Sequence, residues 1–123
     1  MLSKLKTFLT PTANVFIPKP GDDKRSSLWP RTRGLYLADH PLCAACGGKE
    51  NVQVHHVKPF HAFPQLELDS TNLISLCEAP AKNCHYCFGH GYNWTGWNPT
   101  VRIDAARFLE TVVASRKLAE TIQ

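Results

Sequence analysis

Apolar and polar positions along the chain predict two helices with a pair of short strands between them. The first helical pattern covers about residues 26–39, with Ser27 as the expected N-cap and Pro30 in the first turn. The clearest helical pattern covers residues 104–122, where apolar residues recur every three or four positions after Asp104, a residue type suited to an N-cap. The first helix has an imperfect amphipathic pattern, formed by Leu28, Arg31, Leu35, Leu37 and Ala38.

The segment between the two helices predicts an antiparallel hairpin. An alternating apolar run begins at Val52, and a second short strand follows a turn at Asn72 and ends at Cys77. Pairing of the two runs would set residues 73–76 beside residues 53–57. The long loop between the strands is bracketed by prolines, which are unfavourable inside a strand.

Two adjacent histidines, His55 and His56, stand at the end of the first predicted strand. Neighbouring side chains in a strand point to opposite faces, so the two imidazoles would reach different surroundings. That arrangement suits a division of labour, in which one imidazole binds a metal ion and the other takes a proton from water. A solvated histidine pair on a loop is the alternative when the pair is considered alone.

Length and composition fit one small domain with a modest core. The chain has 123 residues, of which 43% are hydrophobic and 20% are charged, as in ordinary globular proteins. No apolar run approaches the roughly 18 residues that a membrane span needs, and the chain start does not resemble a signal peptide, so we expect a cytosolic protein. The expected organisation is an extended basic arm, residues 1–25, and one domain, residues 26–123, with its core in residues 41–98.

Basic residues are concentrated near the N-terminus. Residues 1–34 contain seven Lys or Arg and two Asp, for a net charge of +5, whereas residues 35–123 carry a net charge of −1. A basic arm on a near-neutral body fits a polyanionic partner, although a solvated terminus explains it equally well. The candidate phosphate contacts are Arg25, Arg31, Arg33 and Lys58.

The five cysteines favour metal binding over disulfides in a reducing compartment. Cys43 and Cys46 form a C-x-x-C turn that ends in two glycines, which is typical of a zinc knuckle. A redox pair is the rival interpretation. Such a pair normally opens a helix, however, and the two glycines disfavour a helix here.

The order of these residue types along residues 43–90 resembles that of the HNH (His-Asn-His) endonucleases. A C-x-x-C pair is followed by His-His, then Asn, then Leu-Cys, then Cys-His. The flanking segments Val54-His-His-Val and Asn72-Leu-Ile-Ser-Leu-Cys also look like that family. The matching residues are Cys43, Cys46, His55, His56, Asn72, Cys77, Cys84 and His85.

The resemblance implies a small α+β fold with a ββα-metal core, in which a two-stranded hairpin and a helix hold one catalytic divalent cation between flanking N- and C-terminal helices. It implies that His55 and His85 bind this cation and that His56 is the general base. Asn72 would hold the loop and orient the His56 ring. His90 is a third candidate ligand, although a spacing of five residues from His85 does not by itself place both on one face of an α-helix.

The resemblance also implies a separate structural zinc site, which would supply much of the folding energy of so small a domain. The preferred ligands are Cys43, Cys46, Cys77 and Cys84. In the family pattern the second pair is a C-x-x-C, whereas six residues separate Cys77 from Cys84 here. Cys84 and Cys87 do form a C-x-x-C, and they are the alternative second pair.

These features favour a metal-dependent endonuclease that hydrolyses DNA phosphodiesters, nicking or cleaving duplex DNA with one catalytic cation. Imidazole is a suitable base for water near neutral pH, and a divalent cation stabilises charge on the phosphate and on the leaving oxygen. The expected cation is magnesium or manganese, and imidazole ligands also admit nickel or cobalt. By resemblance, such a protein acts in the cytoplasm of a bacterium or a phage-infected cell.

Two other functions are compatible with the sequence. A zinc-stabilised nucleic-acid-binding module without catalysis would keep the cysteine site and the basic arm, and its histidines would be incidental. A thiol redox or metal-sensing protein would use the C-x-x-C together with Cys87 and would hold no zinc tightly. The oligomeric state, on which the choice between a nick and a double-strand break depends, stays open.

Overall fold

The computed structural model describes residues 24–122, so the predicted basic arm, residues 1–25, lies almost wholly outside the described residues. Within the described part of the chain, no helix combines the length and the apolar character that a membrane crossing requires. The regular elements are helix α1 (Trp29–Asp39), strand β1 (Val52–His56), 3-10 turns at Pro64–Leu66 and Ser70–Asn72, strand β2 (Leu73–Cys77), a π-helical turn (His85–Gly89) and helix α2 (Val101–Ile122).

Strands β1 and β2 form the predicted antiparallel hairpin, which confirms the small α+β fold. Gln53 pairs with Leu76 and His56 pairs with Leu73, in the expected register. Every residue of β2 is buried, because elements pack on both sides of the two-stranded sheet. Helix α1 covers one side through Tyr36, while the cysteine knuckle and the start of α2 pack against Leu76 on the other.

Helix α1 differs from its prediction at its N-terminus. It begins at Trp29 with Leu28 at the N-cap position and no side-chain cap, so the prediction that Ser27 caps the helix is wrong. Pro30 lies in the first turn as expected, because its missing N–H costs nothing there. The backbone N–H of Leu28 is instead satisfied by the hydroxyl of Ser26, which accepts it at 3.2 Å.

The buried face of α1 also differs from the predicted one. Thr32 and Tyr36 are the buried residues of this helix, whereas Leu35 is 36% exposed. The hydroxyl of Tyr36 donates a hydrogen bond to the backbone carbonyl of Leu73 at 2.9 Å. This side chain therefore offers both an apolar ring and a partner for a buried carbonyl, and it sets the rotation of α1 against the hairpin.

Helix α2 begins at Val101, three residues before the predicted start. Asp104 is therefore a first-turn residue, and the prediction that it is the N-cap is wrong. Its carboxylate accepts hydrogen bonds from Asn98 Nδ2 at 2.8 Å and from Thr100 Oγ1 at 3.0 Å. Val101 and Ala105 are the buried residues of this helix, so only its first turns are anchored in the core.

Candidate active site

The two adjacent histidines of β1 lie in different surroundings. His55 faces the π-helical turn, where its ring centroid is 4.9 Å from those of His85 and His90. The ring of His56 packs instead against Trp29 of α1, with centroids 4.5 Å apart. Both rings are almost fully buried, and the alternation of side chains in a strand turns the two imidazoles towards different neighbours.

The π-helical turn brings His85 and His90 to the same face. The backbone N–H of His90 donates to the carbonyl of His85 at 3.1 Å, which closes a five-residue turn. In an α-helix, residues five apart are rotated by about 140° from each other. The wider turn reduces that offset, and the three imidazoles converge. The Nε2 of His85 is 3.0 Å from Nδ1 of His55 and 3.2 Å from Nε2 of His90.

Neighbouring acceptors fix the tautomers of two of these rings. The Nδ1 of His85 lies 2.7 Å from a carboxylate oxygen of Glu78, and Nδ1 of His90 lies 2.9 Å from the carbonyl oxygen of Gly96. A carboxylate and a carbonyl oxygen can only accept, so both Nδ1 atoms carry the proton. The bare Nε2 lone pairs of His85 and His90 therefore face each other across 3.2 Å.

A positive centre between the nitrogens would stabilise this arrangement, and a proton is a poor candidate. Burial lowers the pKa of His85, and burial together with the neighbouring histidines lowers the pKa of His55 to about 3. Two imidazole nitrogens at about 2.1 Å from one ion and at right angles to each other are about 3.0 Å apart. The observed separations fit this geometry, so His55, His85 and His90 could hold one metal ion.

A glycine makes the convergence possible. A Cβ atom at Gly89 would lie 3.1 Å from Nδ1 of His55 and 3.1 Å from Cδ2 of His85. A side chain here would require both rings to give way by a few tenths of an ångström. Gly89 is therefore part of the site, although it contributes no ligand atom.

His56 is held in one tautomer on the other side of the strand. Its Nε2 donates a hydrogen bond to the backbone carbonyl of Glu67 at 2.9 Å, which leaves Nδ1 without a proton in the neutral ring. Burial lowers the pKa of His56 to about 4, against a smaller opposing effect of that hydrogen bond. The ring is thus neutral at pH 7 and can accept a proton.

Asn72 fixes the loop that follows β1. Its Oδ1 accepts from the backbone N–H of Lys58 at 2.9 Å, and its Nδ2 donates to the carbonyls of Lys58 and Leu66 at 3.1 and 3.3 Å. The hydrogen bond to the ring of His56 comes from Glu67, the next residue after Leu66. Asn72 thus reaches the ring through the loop, whereas the sequence suggested that it orients the ring.

Four cysteines form a second, separate cluster. The sulfur atoms of Cys43, Cys46, Cys77 and Cys84 all lie within 4.8 Å of one another and are buried. The Sγ atoms of Cys46 and Cys77 are 3.7 Å apart. Two thiolates that each lie about 2.3 Å from a tetrahedral zinc ion are expected to be about 3.8 Å apart. Four nearby cysteines could therefore bind zinc.

The structure separates the two alternatives for the second cysteine pair. Cys77 belongs to the cluster, whereas the Sγ of the half-buried Cys87 contacts the carbonyl of Lys82 instead. Within the cluster, a hydrogen bond from the Cys84 thiol lowers the pKa of Cys43 to about 4. A thiolate, the form that binds metal, is thus favoured there even before an ion enters.

A cavity of about 330 Å³ opens onto the histidines. Arg25 lies at its edge, where its guanidinium is 4.4 Å from the ring centre of Phe60 and 3.4 Å from the buried carboxylate of Glu67. The lining residues are Arg25, Val54, His55, His56, Pro59, Phe60, His61, His85, His90 and Trp97. The three converging imidazoles, the ring of His56 and the guanidinium of Arg25 therefore line the same cavity.

The other predicted phosphate contacts lie outside this cavity. Arg33 donates to the side chain of Gln53 at 2.7 Å, and Arg31 is exposed on α1. The ammonium of Lys58 lies 5.4 Å from the ring centre of Phe63, on the loop that also carries cavity residues. Of the four predicted cations, only Arg25 is thus in contact with the histidine cavity.

Sequence reasoning missed three residues that shape the site. Glu78 directly follows β2 and reaches His85, seven residues later, while Glu67 contributes its backbone carbonyl to His56. Gly89 carries no side chain that a chemical motif would mark. An acidic residue next to the predicted ligand Cys77 was an available signal for Glu78, but no local pattern marks Glu67.

Comparisons with known proteins agree with this geometry. Residues 43–91, which contain all the histidines and cysteines of the two clusters, match the family model described as HNH endonuclease. The match covers somewhat less than half of the chain. No curated protein and no solved structure matches the chain significantly. The family match over residues 43–91 confirms the resemblance found in the sequence of this segment.

Proposed function

We propose that the protein is a metal-dependent endonuclease that hydrolyses DNA phosphodiesters, with His56 as the general base and one catalytic cation held by His55, His85 and His90. The convergence of three imidazole nitrogens, at separations of 3.0 and 3.2 Å, is the observation that carries this proposal. A fourth imidazole, held neutral in the same cavity, supports it. A binding module without catalysis would need neither the three converging imidazoles nor the neutral fourth one.

The residues of the cavity have separable tasks. His56 accepts the proton of the attacking water at Nδ1, because its Nε2–H is already engaged by the carbonyl of Glu67. Asn72 keeps that carbonyl in place by tying Leu66 to Lys58. A bound divalent cation supplies stabilisation of the charge that develops on the phosphate and on the leaving 3′ oxygen.

Arg25 is the proposed phosphate contact within the cavity. Its guanidinium is held over Phe60 and beside the buried Glu67, so it is oriented before a nucleic acid binds. Arg31, Arg33 and Lys58 would contact more distant phosphates, where each charge contributes to affinity in a salt-dependent way. The proposed substrate is accordingly DNA, with duplex DNA as the first form to test.

The donor set bears on the identity of the catalytic cation. Three neutral imidazoles suit manganese, nickel or cobalt better than magnesium, which prefers oxygen ligands. We therefore expect activity with manganese and at least one of nickel and cobalt, and weaker activity with magnesium. The structural site of Cys43, Cys46, Cys77 and Cys84 is proposed to hold zinc throughout.

The direct test is cleavage of supercoiled plasmid by zinc-loaded protein with each of these cations. His56→Ala should lower the cleavage rate by about 100-fold or more, and brief addition of EDTA should stop the reaction of the wild type while circular dichroism confirms that the fold persists. The matched control is His40→Ala, because His40 stacks on Tyr36 away from the cavity. Folded, zinc-loaded protein that binds DNA but never cleaves it would replace this proposal with the binding-module function.

A further inference from the structure

Three aromatic side chains next to the histidine cluster are exposed to solvent. In the described part of the chain, Tyr92 is 69% exposed, Trp94 51% and Trp97 37%. Single exposed apolar residues are common on protein surfaces, but a group of large rings beside a polar cavity marks an interaction site more often. We call Tyr92, Trp94 and Trp97 the aromatic rim.

The aromatic rim borders the proposed metal site directly. The ring centroid of Trp94 is 4.9 Å from that of His90 and 5.3 Å from that of His85. Trp97 lines the histidine cavity itself, and its ring lies 6.2 Å from that of Phe63. A nucleotide whose phosphate reaches the histidines would therefore have its base within reach of these rings.

Hydrogen bonds within residues 93–96 fix the turn that carries the rim. Asn93 Oδ1 accepts from the backbone N–H and the hydroxyl of Thr95, at 3.1 and 2.8 Å, and the Asn93 carbonyl accepts from Gly96 at 2.8 Å. The carbonyl of Gly96 in turn accepts from His90. The indole rings are thus positioned by the same contacts that orient a proposed metal ligand.

The backbone at Tyr92 adopts a conformation that is uncommon for an aromatic residue. Its φ angle is 65°, in the left-handed region that favours glycine or asparagine. Its carbonyl accepts the hydroxyl proton of Tyr86 at 2.6 Å, and the two rings lie 5.7 Å apart.

Two cations stand on aromatic rings near the same cavity, with Arg25 in its lining and Lys58 outside it. Arg25 and Lys58 sit over the rings of Phe60 and Phe63, at 4.4 and 5.4 Å from the ring centres. Positive charge for the phosphate backbone combined with exposed rings for the base faces is the usual design of sites that bind unpaired nucleotides. In an intact duplex, the base faces are covered by their stacked neighbours and offer nothing to an indole ring.

We propose that the aromatic rim stacks on an unpaired base next to the phosphate that is cleaved. The preferred substrate is then a single strand, or a duplex with a bulge or gap, ahead of a fully paired duplex. This inference rests on the proposed nuclease function, which it narrows to a class of substrate. Trp94 is the central ring, because it is half exposed and in contact with two of the three histidines.

Binding to cleavage-deficient protein tests this inference without requiring turnover. Labelled oligonucleotides would be titrated with zinc-loaded His56→Ala protein and followed by fluorescence anisotropy, using a single strand, its duplex, and duplexes with one bulged nucleotide or one bulged abasic residue. We expect the single strand and the base-containing bulge to bind more tightly than the duplex. Trp94→Leu in this background should weaken both by about tenfold and leave duplex binding unchanged, while Trp94→Phe should retain most of the affinity.

The abasic bulge is the decisive comparison. It has the flexibility and the charge of the ordinary bulge but no base face, so it should bind no better than the duplex. Equal affinity for the two bulges, or an equal loss on all substrates in Trp94→Leu, would overturn the stacking role and leave Trp94 as a cover over the histidines. Leu118→Ala, which removes an exposed apolar side chain at the far end of α2, should change none of these affinities.

These outcomes are independent of the proposed chemistry. If neither the plasmid nor the single strand is cleaved while the binding preference and its loss in Trp94→Leu are observed, the nuclease function is wrong and the rim is a binding surface for unpaired bases. If the plasmid is cleaved but the preference is absent, the inference about the rim is wrong. A DNA and an RNA version of the single strand, compared in both assays, show which sugar the site accepts.

Discussion

At the scale of single residues, the groups behind the histidines decide which ring nitrogen can bind an ion. Glu78 holds the proton of His85 on Nδ1, and the Gly96 carbonyl does the same for His90. Both Nε2 atoms are then free as donors of a lone pair. Such contacts commonly change metal affinity by 10- to 100-fold, although they never touch the metal.

The contact with Glu78 gives the first prediction. Glu78→Ala should weaken binding of manganese or nickel to the zinc-loaded protein by about 10- to 100-fold, because the imidazole of His85 loses the acceptor that fixes its tautomer. Isothermal titration would measure the affinity. Glu120→Ala removes a carboxylate from the exposed end of α2 and is the control. Unchanged affinity in Glu78→Ala would mean that His85 does not bind the ion through Nε2.

The close approach at Gly89 gives a second prediction. Gly89→Ala places a methyl group 3.1 Å from atoms of both His55 and His85, so the two rings must shift by a few tenths of an ångström. We expect cleavage to fall on the order of tenfold while the protein stays folded. Plasmid cleavage at saturating cation measures the effect. Full activity in a folded Gly89→Ala protein would show that the convergence of the rings is not needed.

Much of the site was predictable residue by residue, and the reason is chemical. His55, His56 and the cysteines are marked by their residue type and spacing, so the sequence alone selects them as candidates. Glu67 acts through a backbone carbonyl, which every residue possesses, and only the folded loop shows which carbonyl meets His56. The role of Gly89 is likewise a distance, which a sequence does not contain.

At the scale of elements, the π-helical turn that carries His85 and His90 could not be predicted from the spacing of apolar residues. Sequence patterns distinguish periods of 2 and 3.6 residues, and a single π-helical turn has too few residues to establish a period of its own. The hairpin, by contrast, was predictable with its register, because a shift of one residue would exchange its two faces. The start of α2 was missed by three residues, a common error at helix ends.

Helix α1 offers a prediction at the same scale. Gly34 lies inside this helix, is exposed, and has no atom within 4 Å of the position that a Cβ would take. Gly34→Ala should therefore raise the free energy of unfolding by about 0.5–1 kcal/mol, since alanine loses less backbone entropy in a helix. Urea unfolding at fixed zinc concentration measures it, and a decrease in stability would contradict the assignment of an open helical position.

At the scale of the whole molecule, the cysteine cluster connects the knuckle, the hairpin and the π-helical turn. Cys43 and Cys46 lie in the knuckle, Cys77 ends β2, and Cys84 precedes the π-helical turn. The hydrophobic core around them is small and includes the four cysteines themselves. An ion at this point would fix the position of His85 relative to His55, because the turn and the hairpin meet there.

The chain contains its own control for this role. Cys77→Ser should abolish binding of about one zinc per chain and unfold most of the domain at 25 °C, because structural zinc supplies folding energy that so small a core cannot replace. Cys87→Ser alters a half-buried thiol outside the cluster and should keep the zinc, the fold and the cleavage activity. Metal analysis and circular dichroism of the two variants measure the difference. The reverse pattern, with zinc lost only in Cys87→Ser, would mean that Cys84 and Cys87 form the second pair. A Cys77→Ser protein that is folded and free of zinc would show that the metal does not stabilise the fold.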